Sequence, residues 1–80
     1  MVTRYKWRVR WGGADTEALD GCEWVIAETA EDAVSQVFIP GLRELLFCWA
    51  DERVTCYFGT IGARREKVMV LAGRRDVCEA

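Results

Sequence analysis

Between residues 3 and 11 the chain alternates without a break. Tyr5, Trp7, Val9 and Trp11 take the odd positions, and Arg4, Lys6, Arg8 and Arg10 fill the even ones. A period of two is that of a strand with one face toward a core, so the apolar set is assigned inward and the four cations to the opposite face. Residues 12 to 21, "GGADTEALDG", combine Gly pairs and acids with no periodicity and read as an exposed connection. "CEWVIAE", residues 22 to 28, reads as a second strand, with Cys22, Trp24 and Ile26 on one face and Glu23, Val25 and Ala27 on the other. The two strands can pair as a wide hairpin, and in that pairing Glu23 could sit across from one of the cations and neutralise it.

Residues 29 to 38 change to helical spacing. Ala30, Ala33, Val34, Val37 and Phe38 share one face, with Glu31, Asp32, Ser35 and Gln36 opposite. Thr29 is placed to cap the helix, and Asp32 three residues later fits a capping box while adding negative charge at the positive end of the dipole. Pro40 disfavours helix at the residue before it, so the helix is expected to stop near Phe38. So short a helix is marginal alone and must be held by packing on a sheet.

"LRELLFCWA", residues 42 to 50, fits either period; strand is favoured because "RVTCYFGTI" follows after a short "ADER" turn. That strand pair would set Val54, Cys56 and Phe58 opposite Trp49 and Phe47, and would send Cys48 and Cys56 to opposite faces. "EKVMVLAG" supplies a last strand after the "GARRE" turn, leaving "GRRDVCEA" as a tail or short edge element. The order β β α β β β describes an α+β domain: an antiparallel sheet of about four to five strands with one short helix packed on a face.

The chain has 80 residues, 51% of them hydrophobic, with four Trp, three Phe and two Tyr. Residues 1–80 are expected to form one domain whose small core is filled largely by aromatic rings. No stretch has the length of a signal-peptide apolar run or a membrane span, so a soluble, cytoplasmic protein is expected. Cys22, Cys48, Cys56 and Cys78 are then expected as thiols, with two disulfides or a zinc site as alternatives. The absence of His and of any C-x-x-C pair weighs against metal.

Without His, and with Ser35 as the single serine, the usual nucleophile and base pairs cannot be assembled. Neither "GGAD" nor "GTIGARREK" has the spacing of a phosphate loop. A non-enzyme without a cofactor or small-molecule substrate is expected. Net charge is −2, but unevenly laid out. Arg4, Lys6, Arg8 and Arg10 precede a stretch, residues 11 to 42, that carries Asp15, Glu17, Asp20, Glu23, Glu28, Glu31 and Asp32 and no cation. The cationic row has the spacing to follow a phosphate backbone, though a solvated sheet face is built the same way. The acids can equally present carboxylates to a basic protein surface.

The β β α β β β order, "WVIAETAEDAV" entering a short acidic helix, and the divided charge together resemble the small phage-borne anti-CRISPR proteins that inhibit type I CRISPR-Cas surveillance complexes such as Cascade. The likeness is one of architecture and carries over no residue by position. It implies a phage- or mobile-element-encoded inhibitor acting in the bacterial cytoplasm, which binds a Cas subunit surface and blocks target DNA recognition by occupying a nucleic-acid path. Asp15, Glu17, Asp20, Glu31 and Asp32 would then dock on a cationic groove; alternatively Arg4, Lys6, Arg8 and Arg10 would contact nucleic acid, in the complex or in a free-standing nucleic-acid-binding protein. An adaptor domain with no separable site is the third alternative.

Overall fold

A computed structural model of the chain describes residues 3–13, 19 and 21–78. It is a five-stranded antiparallel sheet with one short helix, mostly β in content. The strands are β1 (Arg4–Gly13), β2 (Gly21–Ala27), β3 (Leu42–Ala50), β4 (Val54–Ile61) and β5 (Glu66–Cys78), with α1 (Ala30–Ser35) between β2 and β3. Across the sheet the order is β2-β1-β5-β4-β3.

That order decides which face is buried. β2 and β3 are the two edges, so the connection between them must cross the whole sheet, and it does so over one face. α1 lies over β1, β2 and β5, and the residues that follow it carry Val37 and Ile39 into the same core. Trp7, Val9, Ala27, Val70 and Ala72 meet Ala33 and Val34 there. Trp7 also donates its indole N–H to the Ala27 carbonyl oxygen at 2.9 Å, tying β1 to β2 inside the core. No described element crosses the other face, which is left open.

The helix starts as its sequence requires. Thr29 is extended, and its hydroxyl accepts the Asp32 amide at 3.2 Å. It ends earlier than expected, at Ser35, with Gln36 donating its side-chain amide to the Ile26 carbonyl at 3.0 Å. Phe38 therefore lies beyond the helix and is 79% exposed, and Ile39 takes the core position instead.

Three further expectations are refined or changed. The stretch from Gly73 onward is no tail but the edge alternative: β5 lies between β4 and β1 as far as Gly73, and from Arg74 to Cys78 its ladder partner is β1. Glu23 lies across from Val9 rather than from a cation. In β3, Phe47 pairs with Tyr57 but Trp49 pairs with Cys56, so Cys48 is an extra residue, a bulge that moves Trp49 to the opposite face from Phe47.

Candidate nucleic-acid interface

The register places the open face residue by residue. Arg8 pairs with Trp24 on β2 and Gly73 on β5, and Gly73 pairs with Val54 on β4. In the next row Cys22, Arg10, Leu71, Cys56 and Trp49 follow one another across all five strands. Gly12, Met69, Phe58 and Leu46 make the row after that. Side chains of directly paired residues point to the same side, so the cationic row of β1 shares its face with Trp24, Ile26, Leu46, Trp49 and Phe58, all exposed. A solvated sheet face would place polar groups at those positions; five exposed large apolar side chains on one face make it the candidate surface.

At the β2 edge the cations gather around one indole. Lys6 Nζ lies 4.9 Å from the centroid of the Trp24 ring, and the guanidinium carbons of Arg8 and Arg75 lie 5.9 and 6.0 Å from it. Each contact at such an exposed site is worth about 0.5–1 kcal/mol, and together they hold long, mobile side chains beside the ring. Arg74, one residue earlier, faces the covered side, 4.6 Å from the Tyr5 ring. Arg75 is a cation of the surface that the alternation of β1 could not disclose, because its stretch reads as a tail.

The β3–β4 hairpin brings in a further cation. Asp51 accepts the amides of Arg53 at 2.9 Å and Val54 at 2.8 Å, closing the turn from which Arg53 projects. Those amides, Arg53 first and then Val54, hold the Asp51 carboxyl below the usual carboxylate range.

Cys48 and Cys56 do not point apart. The bulge brings the two thiols into hydrogen-bonding reach on the open face, and burial of Cys56, followed by this neighbour, pushes its thiol upward. Cys22, Cys48 and Cys56 are unbridged, the first two exposed and the third buried. No group of three or more His, Cys, Asp or Glu among the described residues could hold a metal ion, and no described helix is long and apolar enough to cross a membrane.

The acidic candidates divide. Glu31 and Asp32 are exposed in the first turn of α1, on the covered side of the sheet. Asp15, Glu17 and Asp20 lie outside the described residues. Lys6, Arg8 and Arg10 stay together on the open face, and Arg4 begins the same alternation at the start of β1. The aromatic half of that surface lay hidden in the apolar residues of three other strands.

Comparison with family models, with curated proteins and with solved structures gives no match for this chain.

Proposed function

We propose that this protein is a non-catalytic domain that binds single-stranded nucleic acid across the open face of its sheet. The supporting observation is the meeting of Lys6, Arg8 and Arg75 with the exposed Trp24, on a face that also presents Phe58 and Trp49. Aromatic rings accept unstacked bases of any sequence, and cations beside them track the backbone. A duplex offers neither splayed bases nor a surface that uses the apolar rows. β2 and β3 are four strand spacings apart, about 19 Å, so a single strand laid across the sheet from Trp24 passes several nucleotides before Trp49.

Mobility shifts with unstructured single-stranded oligonucleotides over a salt series test this. Neutralisation of four phosphates by Lys6, Arg8, Arg10 and Arg75 gives a slope of log K against log salt of about −2.8. Absence of a shift at about 50 mM salt, where such binding is strongest, rules the function out.

A second reading is the anti-CRISPR one, in which the protein binds a type I CRISPR-Cas surveillance complex and obstructs its nucleic-acid path. It is supported by the architectural resemblance and by the position of Glu31 and Asp32, exposed on the side away from the cations. The sheet would then contact bound nucleic acid, or the acids, with Asp15, Glu17 and Asp20, would contact a Cas subunit. Native mass spectrometry with a purified complex tests it: neutralising the five acids removes the assembly if the acidic surface docks, and neutralising Lys6, Arg8 and Arg10 removes it if the sheet does. No assembly with the unaltered protein excludes the reading.

A further inference from the structure

Position 73 carries no side chain, and around that gap the open face sinks into a cavity of about 220 Å³. Among the described residues Arg8, Arg10, Arg53, Arg74 and Arg75 line it, and none of the lining residues is acidic. Arg74 turns its guanidinium to the Tyr5 ring, which leaves Arg8, Arg10, Arg53 and Arg75 as the other arginines around a space opened by one missing side chain. Two of these four, Arg8 and Arg75, also flank Trp24. An aromatic platform and a cationic cavity therefore share their walls.

We propose that this cavity receives the terminal phosphate of a nucleic-acid strand whose end base stacks on Trp24. The inference deepens the single-strand reading given above and rests on it. Guanidinium groups present forked donors that match phosphate oxygens bidentately. Four further arginines around one cavity, with no carboxylate among its described lining residues, repel one another, and the repulsion is relieved more by a dianion than by a monoanion. An internal phosphodiester carries one negative charge; a terminal phosphate carries close to two at neutral pH. The location agrees, because Arg53 belongs to the turn where β3 and β4 end while β1, β2 and β5 continue, so the cavity sits at a step in the sheet.

Gly73 makes a test possible that leaves every charge in place. A Cβ built there meets only the Arg8 carbonyl oxygen, at 3.8 Å, so Gly73→Val fits the strand and fills the cavity. Fluorescence anisotropy would compare labelled single-stranded oligonucleotides with a phosphate at one end, at the other end, or at neither, on the wild type and Gly73→Val. The expected result is a preference of about tenfold for one phosphorylated end, lost in Gly73→Val, with the unphosphorylated strand bound within about twofold of wild type. Equal affinity for all three oligonucleotides overturns the cavity assignment and leaves strand binding standing. Failure of every oligonucleotide to bind overturns strand binding. Titration with inorganic pyrophosphate, followed by the backbone amides of Gly73 and Arg53, then decides the cavity alone: shifts that vanish in Gly73→Val support an anion site there, and unmoved amides overturn it.

Discussion

Arg8 on β1 stands directly across from Trp24 on β2, its guanidinium carbon 5.9 Å from the centroid of the indole. The pairing joins two features that look separate in the sequence, a row of cations and an apolar strand. It also puts the largest ring of β2 in solvent rather than in the core, since the core lies on the other side of the same strand pair.

Trp24→Ala is expected to weaken single-strand binding by the worth of one stacked base, about 1–3 kcal/mol, or roughly five- to 150-fold. Because the ring is 46% exposed, thermal unfolding should move little. Anisotropy and calorimetry on the same preparation check both halves, and unchanged affinity removes Trp24 from the interface.

Trp7 gives the opposite outcome. It is 6% exposed and donates to Ala27 across the core. Trp7→Phe keeps a ring but gives up a buried hydrogen bond to the Ala27 carbonyl, for which a loss of about 0.5–1.5 kcal/mol is expected in urea unfolding. The folded fraction that remains should bind nucleic acid as the wild type does.

The hairpin carrying Arg53 depends on Asp51. Its carboxyl is lowered from 3.8 in the folded chain, so the unfolded state takes up the proton first as pH falls. The stabilisation is therefore complete above the ordinary carboxylate range and is lost as pH drops through the lower, folded value. Amide exchange at Arg53 and Val54 should show protection that is flat near neutrality and falls below 3.8, and Asp51→Ala should lower it at every pH. Equal protection in the variant would remove Asp51 as the clasp.

The thiols should separate by reactivity. Cys22 and Cys48 are exposed, while Cys56 is 1% exposed with its thiol pushed upward by burial and by Cys48. Alkylation of the native protein at neutral pH, read by peptide mass, should modify the first two and spare Cys56 until the sheet is unfolded.

Much of the fold could be read from periodicity, because β1, β2 and α1 keep one period throughout. What could not be read has physical causes. A bulge inserts a single residue without any compositional mark, so Cys48 hides the turn of Trp49 toward the open face. Gly73 and two arginines resemble a chain end, yet Gly73 lies between β4 and β1 and the strand runs on beyond it along β1. The facing of β2 was legible only as an alternation: either Trp24 or Val25 can point inward, and the pairing of Trp7 with Val25 settles it. The cationic half of the candidate surface was therefore visible from the start, and its aromatic half was not.

The four tryptophans offer the most direct test of the central claim, since each indole N–H is a resolved probe. In a titration of labelled protein with a single-stranded oligonucleotide, followed by proton–nitrogen correlation spectra, the indole signals of Trp24 and Trp49 are expected to move while that of buried Trp7 stays in place. Movement confined to the amides of Glu31 and Asp32, or no movement of the Trp24 signal at saturating oligonucleotide, contradicts the assignment of the open sheet face as the binding surface.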